Sequence, residues 1–175
     1  MLLRGTDSAA ATNLDTSEYV AIKLEHISTD PSTLQTEVEV YERLANGTGI
    51  PRVHWYGTEC EYHVMVFDLL GPNLENLFNF CRRRFSLKTV LMLAGQLIRR
   101  LGYIHSKGIV HRDIKPENFL VGKGKRSNQI YAIDLSLSTE YRIASMGFDT
   151  ACRRQRPRVG TTRFASVNGH LGVGE

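Results

Sequence analysis

The most informative stretch of the sequence is residues 111–118, which read His-Arg-Asp-Ile-Lys-Pro-Glu-Asn. Asp113 offers a carboxylate that can accept a proton from a hydroxyl group, and Lys115 adds a positive charge close by. The amide oxygen of Asn118 is a ligand of the kind that hard divalent cations prefer. A base, a cation and a metal ligand in one short loop suit the transfer of a phosphoryl group. The alternative interpretation is a surface turn of mixed charge.

Two charged residues upstream could complete such a site. Lys23 ends the run Val-Ala-Ile-Lys, in which a strand lysine can hold nucleotide phosphates. Glu37 lies beside the apolar stripe of a predicted helix, one turn from both Leu34 and Tyr41. A carboxylate at the edge of a buried face needs a partner to offset its desolvation, so we expect it to pair with Lys23. Alternatively, Glu37 reaches solvent from the edge of the stripe.

A third candidate is Asp134, which follows the apolar run Tyr-Ala-Ile and would be a second metal ligand beside Asn118. It begins the triplet Asp-Leu-Ser, where the motif of protein kinases is Asp-Phe-Gly. Leu135 keeps the apolar character of the second position. Ser136 would be strained if the backbone there took a positive φ. The alternative is an aspartate that ends a strand without binding a metal.

The elements that must position these residues can be read from hydrophobic patterning. Runs rich in β-branched residues predict strands at residues 19–24, 52–56, 62–70, 109–110, 119–121 and 130–133. Helical spacing predicts helices at residues 32–45 and 86–105, with a helical pattern already beginning at Leu74. Strands with one helix, then helices, then a small hairpin indicate an α+β architecture of two lobes. We place their boundary at Gly71, which gives segments 1–70 and 71–175.

Together these segments resemble the casein kinase 1 family of Ser/Thr protein kinases. The similar runs are Leu-Leu-Gly-Pro-Asn-Leu-Glu at 69–75, Ser-Leu-Lys-Thr-Val at 86–90, His-Ser-Lys at 105–107 and Gly-Thr-Thr-Arg-Phe-Ala-Ser-Val-Asn at 160–168. The resemblance extends from about residue 13 to residue 172. It implies a two-lobe kinase fold with an antiparallel sheet and one helix in the N-lobe. Only the first part of the helical C-lobe is expected, ending just after the activation segment.

The resemblance also implies an activity and individual roles. It implies a Ser/Thr kinase that uses ATP and Mg²⁺ and prefers acidic or already phosphorylated protein substrates. Asp113 would be the base and Lys115 would contact the γ-phosphate, while Lys23 and Glu37 would form an ion pair at the nucleotide. The remaining implied roles are a gatekeeper at Met65, adenine contacts from the Asp68 carbonyl and the Leu70 amide, metal ligands at Asn118 and Asp134, and a substrate anion contact at Arg163.

Two departures from the family pattern bear on activity. No G-x-G-x-x-G motif can be written upstream of Asn13, where only Gly5 remains, so the loop that cradles phosphates is degraded. The chain also ends at Glu175, so we expect the segment 74–105 to expose apolar surface. These departures keep a second hypothesis open, namely a catalytically impaired kinase fragment that acts as a binding or regulatory module.

The composition of the chain restricts the classes of protein to which it can belong. The 175 residues are 42% hydrophobic and 23% charged, which is typical of a soluble globular domain and excludes wholesale disorder, collagen and coiled coils. No run is long enough to span a bilayer, and no signal peptide is evident, so we expect no membrane association. The three cysteines, an odd number without a close pair, favour a reducing compartment, namely the cytoplasm and also the nucleus.

The net charge of +4 is too small to indicate nucleic-acid binding by itself. Arginines cluster at positions 153, 154, 156 and 158. This cluster could bind an acidic or phosphorylated substrate, or it could be a solvated loop, and a nucleic-acid interface ranks below both. The oligomeric state is not indicated by any feature of the sequence.

Overall fold

The computed structural model of the chain describes residues 7–140, 160–167 and 170. The arginine cluster at 153–158 and Cys152 lie outside the described residues. Cys60 and Cys81, which are described, are free thiols at the surface. Among the helices of the described ranges, none is both long and apolar enough to cross a bilayer.

The first lobe is a four-stranded antiparallel sheet with one helix. Its elements are β1 (Asp7–Thr12), β2 (Tyr19–His26), α1 (Thr33–Arg43), β3 (Val53–Glu59) and β4 (Tyr62–Asp68). The strands lie in the order β1-β2-β4-β3, so β2 and β4 are the two central strands. In their register Lys23 lies opposite Met65, which brings the strand lysine to the middle of the sheet.

The second lobe contains two helices and two small hairpin-like pairs of strands. Its elements are α2 (Leu74–Phe80), α3 (Leu87–Ser106), β5 (Ile109–Val110), β6 (Phe119–Val121), β7 (Ile130–Ala132) and β8 (Thr139–Glu140). β6 pairs with β7 and β5 pairs with β8, both antiparallel. Residues 111–118 therefore lie between two strands that are each fixed by a partner.

Helix α1 is held firmly at its beginning. The Ser32 hydroxyl caps the helix by accepting the Gln35 N–H. The side chain of Glu25, only 3% exposed, also reaches the first turn from β2. Its two oxygens accept hydrogen bonds from the hydroxyl groups of Ser32 and Thr33 and from the N–H groups of Thr33 and Leu34. The helix is thus attached to the strand that carries Lys23.

The loop after α1 docks the first lobe onto the second. Gly49 has φ 75°, and a Cβ there would collide with the Arg100 side chain and the Ile130 carbonyl, so glycine is required. Its carbonyl accepts the Ala132 N–H at 2.9 Å, and Arg100 Nε donates to the Ile130 carbonyl at 2.8 Å. The core accordingly runs through both lobes and includes Leu34 and Leu44 together with Ile104 and Ile109.

The predicted helices and all predicted strands are present, within a few residues at their ends. Strand β1 has no counterpart among the predicted strands. Val90, in the first turn of α3, is 46% exposed. It belongs to the apolar surface expected on segment 74–105, whose other exposed members include Phe80, Leu87, Leu91 and Ile98.

Candidate active site

Lys23 and Glu37 form a buried ion pair between β2 and α1. Lys23 Nζ lies 2.6 Å from Glu37 Oε2 and 3.2 Å from Asp134 Oδ1. The second oxygen of Glu37 accepts the backbone N–H of Leu135 at 3.1 Å. The partner expected for Glu37 is therefore in place, and the pair reaches across to the segment that carries Asp134.

The protonation of Lys23 follows from these contacts. Burial by itself lowers the pKa of an amine, but the carboxylates of Glu37 and Asp134 outweigh it, and the pKa of Lys23 lies above its ordinary value. Burial also raises the pKa of Glu37, and the charge of Lys23 opposes that rise. Lys23 is therefore a fixed cation on the floor of the interlobe space, as the binding of a polyphosphate requires.

Asp113 is surrounded by four donors. Its Oδ2 accepts from Lys115 Nζ at 2.6 Å and from the Asn118 amide at 3.1 Å. Its Oδ1 accepts from both the N–H and the hydroxyl group of Thr161 at 2.8 Å. Burial would raise the pKa of Asp113, but the hydrogen bonds from Lys115 and Thr161 outweigh it and hold the pKa below its ordinary value. The carboxylate is ionised and oriented from both sides.

His111 supports the backbone of this loop from beneath. It is fully buried, and its Nε2–H donates to the Ile133 carbonyl at 3.0 Å. Its Nδ1 accepts the Asp113 N–H at 3.3 Å, so both ring nitrogens are used by a neutral imidazole. Burial lowers the pKa of His111 below its ordinary value. The neutral ring thereby joins the loop that carries Asp113 to the strand that leads to Asp134.

Asn118 and Asp134 are brought together by the pairing of β6 with β7. The Ile133 N–H donates to the Asn118 carbonyl at 3.0 Å, which places Asp134 directly beside the end of the loop. The Asp134 N–H donates to the hydroxyl group of Tyr41 at 3.2 Å. The strained residue is Asp134 itself, with φ 60°, and Ser136 does not have the positive φ considered for it.

The described residues could hold a divalent cation that takes most of its ligands from a bound substrate and only a few from the protein. Within the described ranges, no group of three or more His, Cys, Asp or Glu side chains forms a metal cluster. Asp134 and Asn118 supply one carboxylate and one amide oxygen, and the Asp134 side chain is 34% exposed. Mg²⁺ in nucleotide sites is usually held in this way, by one or two carboxylates together with phosphate oxygens.

Met65, where we expect the gatekeeper, lies on the same strand β4 as Phe67. Met65 is fully buried opposite Lys23, whereas Phe67 lies opposite Ala21 and is partly exposed. Because side chains alternate along a strand, Met65 and Phe67 share a face, and Phe67 is the member next to the strand end at Asp68. Phe67 therefore adjoins the segment that crosses between the lobes.

Asp68 and Leu70 lie at the end of β4 and in the segment that follows it. The carboxylate of Asp68 is already engaged, because it accepts from the Arg52 N–H at 3.0 Å and contacts His54 Nε2 at 2.9 Å. Arg163 comes two residues after Thr161, which contacts Asp113. Its guanidinium group stacks over the ring of Phe164 at 5.4 Å, on an exposed turn.

Three residues of the site were not found from the sequence. Tyr41 was identified only as part of the apolar stripe, and Thr161 only within a segment of family resemblance. Ser136 was noted only for its backbone, yet its hydroxyl group contacts Asp134. The Gly-Thr-Thr run after the basic segment was the only signal for Thr161. Its contact with Asp113 joins residues 48 positions apart, which no local pattern indicates.

Comparison with known families agrees with this geometry. A family model described as the protein kinase domain matches residues 5–166, which includes every strand and helix named above. Such domains transfer a phosphoryl group from ATP to protein substrates with the help of divalent metal ions. The N-lobe sheet with α1, and the part of the C-lobe that is present, have the α+β arrangement of that domain. The chain therefore belongs to the protein kinase domain family.

Proposed function

We propose that this kinase domain is a Ser/Thr kinase of the casein kinase 1 type that uses ATP with Mg²⁺. The observation that carries the proposal is the arrangement around Asp113. Lys115, Asn118 and Thr161 all donate to its carboxylate within 3.1 Å. An ionised carboxylate held at the centre of such a cluster is suited to receive a hydroxyl proton as phosphoryl transfer proceeds.

In the proposed reaction, the hydroxyl oxygen of a substrate forms a bond to the γ-phosphorus of ATP. The bond from that phosphorus to the bridging oxygen breaks, ADP leaves, and the hydroxyl proton passes to Asp113. Lys115 neutralises charge on the transferred group, and Lys23, held by Glu37, binds the phosphates nearer the nucleoside. Asn118 and Asp134 would hold Mg²⁺, which when bound neutralises phosphate charge. Backbone groups of Asp68 and Leu70 would contact adenine beside Phe67.

Specificity for serine and threonine is supported by the position of Thr161. Its backbone N–H lies 2.8 Å from the Asp113 carboxylate, so the segment that carries Arg163, the proposed substrate anion contact, begins right beside the base. A short side chain can bring its hydroxyl group to Asp113 from a backbone lying on this segment. A substrate tyrosine has a longer side chain, so with its hydroxyl group at Asp113 its backbone would lie much farther from this segment. The variant Thr161→Ala should therefore reduce transfer to serine peptides.

The preference for acidic or phosphorylated substrates is supported by the positive charges near the base. Lys115 lies against Asp113, and Arg163 follows Thr161 on an exposed turn, where we propose it binds a substrate anion. We further propose that residues 1–70 and 71–175 correspond to the N-lobe and a partial C-lobe. The proposed location is the cytoplasm and the nucleus, and the surface thiols of Cys60 and Cys81 suit a reducing compartment.

The test is phosphate transfer from labelled Mg-ATP to acidic peptides that differ only in carrying serine or tyrosine. We expect transfer to the serine peptide and a loss of at least about a hundredfold in Asp113→Asn, the scale on which general-base catalysis contributes. Asp15→Asn makes the same chemical change at an exposed aspartate and is the matched control. Equal transfer by wild type and Asp113→Asn would show that the assignment of the base is wrong. Preferential transfer to the tyrosine peptide would exclude the Ser/Thr type.

A further inference from the structure

Ser136 has no role in the proposed reaction, although its side chain lies against a proposed metal ligand. The Ser136 hydroxyl group donates to Oδ1 of Asp134 at 2.9 Å. Lys23 Nζ donates to the same oxygen at 3.2 Å. Within the described ranges of the chain, Oδ2 of Asp134 accepts no hydrogen bond. The two oxygens of this carboxylate are therefore not equivalent.

The backbone of Asp134 is fixed independently of its side chain. Its N–H donates to the Tyr41 hydroxyl group, and the next N–H along the chain donates to Glu37. Its φ of 60° is a conformation that persists only where the surroundings hold it in place. The freedom that remains to Asp134 is rotation of its carboxylate, whose Oδ1 is contacted by the hydroxyl group of Ser136 and by the amine of Lys23.

We propose that Ser136 is a positioning residue for the metal ion, which acts by holding Oδ1 of Asp134 so that Oδ2 faces the cation. This inference rests on the proposed function, in which Asp134 and Asn118 hold Mg²⁺. A glycine, which the Asp-Phe-Gly pattern has at this position, carries no hydroxyl group and could not make this contact. The Asp-Leu-Ser triplet of this chain thus provides a restraint for its own carboxylate.

The restraint also bears on which metal is bound. Mg²⁺ requires near-octahedral geometry and takes single oxygens from few protein ligands, whereas Ca²⁺ accepts both oxygens of one carboxylate. With Oδ1 occupied by Ser136 and Lys23, Asp134 offers a single oxygen. The arrangement accordingly favours Mg²⁺ over Ca²⁺. Loss of the Ser136 hydroxyl group should weaken the binding of Mg²⁺ more than that of Ca²⁺.

The experiment is a metal titration of thermal unfolding of the whole chain at saturating ADP, which needs no catalytic turnover. Residues that orient a metal ligand change metal affinity by about 10–100-fold when removed. We expect the Mg²⁺ midpoint to rise at least about fivefold in Ser136→Ala, with a smaller rise for Ca²⁺. The metal-free effect of ADP should stay unchanged. Ser136→Thr and Ser136→Val form a matched pair, nearly equal in shape, of which only threonine keeps the hydroxyl group.

The outcomes separate the inference from the function on which it rests. Equal Mg²⁺ midpoints for Ser136→Thr and Ser136→Val would overturn the positioning role, even if both variants were less stable than wild type. This pair also decides the matter if Ser136→Ala fails to fold. A wild type without any metal-dependent shift would refute both the metal role of Asp134 and that of Ser136. A normal shift in a protein that phosphorylates no peptide would contradict the proposed function alone.

Discussion

Replacing Glu37 with glutamine is the sharpest test of the buried ion pair. The Glu37 side chain is 2% exposed, and its two oxygens receive Lys23 Nζ at 2.6 Å and the Leu135 N–H at 3.1 Å. Glutamine keeps the volume of the side chain and can still accept the Leu135 N–H. It removes the negative charge opposite Lys23. The substitution therefore isolates the charge of the pair from the packing of α1.

The expected loss of stability in Glu37→Gln depends on the contacts that Lys23 keeps in the variant. Removing one partner of a buried ion pair costs about 3–5 kcal/mol when the other charge is left alone. Lys23 keeps Asp134 at 3.2 Å, so the cost should be smaller than for an isolated charge. We expect about 2 kcal/mol, and since 1 kcal/mol corresponds to about 2–4 °C in a chain of this size, Tm should fall by about 4–8 °C.

The assay is differential scanning calorimetry of the free protein, with a nucleotide titration as the second readout. Glu39→Gln is the matched control, because Glu39 is on the same helix but is exposed. We expect this control to melt within about 1 °C of wild type, as surface substitutions do. The affinity of Glu37→Gln for ADP should also fall, because Lys23 is held less firmly. If Glu37→Gln melts like Glu39→Gln, the pair does not stabilise the fold as argued.

Three further outcomes are expected. Glu25→Gln should lower stability by about 1–2 kcal/mol in chemical denaturation, because it weakens the cap of α1. Burial alone would raise the pKa of Glu25, but its hydrogen bonds outweigh burial and lower the pKa. The stability that the Glu25 carboxylate contributes to wild type should therefore be lost as pH falls below about 4. The Glu25→Gln variant should show no such loss. Burial lowers the pKa of His111, so in mildly acidic solution the unfolded chain binds a proton that the folded chain does not. The free energy of unfolding should therefore fall as pH drops below about 6.5, by up to about 1.4 kcal/mol per pH unit. His111→Phe should flatten this slope in thermal melts between pH 7.5 and 5.5, a range anchored on the ordinary histidine value of about 6.5. Thr161→Ala should lower kcat about tenfold with little change in the KM for ATP, because it removes one donor to Asp113, and Thr161→Ser should restore it.

Much of this fold could be predicted because its strongest signals are local. Val-Ala-Ile-Lys is a β-branched strand, and the apolar steps of α1 place Glu37 on the side that faces Lys23. Strand β1 escaped prediction because its sequence, Asp-Ser-Ala-Ala-Ala-Thr, has almost no β-branched residues. It forms through pairing with β2, from Asp7 opposite Leu24 to Thr12 opposite Tyr19. Tertiary pairing overrides such weak local preference.

The site was harder to predict where it depends on register or on distant contacts. Which of Met65 and Phe67 lies nearer the segment between the lobes depends on where β4 ends, and strand ends are poorly marked in sequence. The positive φ of Asp134 arises from bonds made to α1, a helix distant in sequence, so the triplet itself gives no sign of it. Only the structure shows that the hydroxyl group of Ser136 contacts the Asp134 carboxylate.

Helix α1 explains why these separate contacts behave as one site. Glu25 ties its first turn to β2, and at its other end Arg43 pairs with Glu140 and donates to the Lys107 carbonyl. Between these ends, Glu37 and Tyr41 receive consecutive backbone N–H groups of the Asp134 segment. A rotation of the helix would therefore release Lys23 and Asp134, the proposed metal ligand, together. Because these effects share one rigid element, variants at Glu25 and Glu37 should be non-additive, as expected for residues of one network.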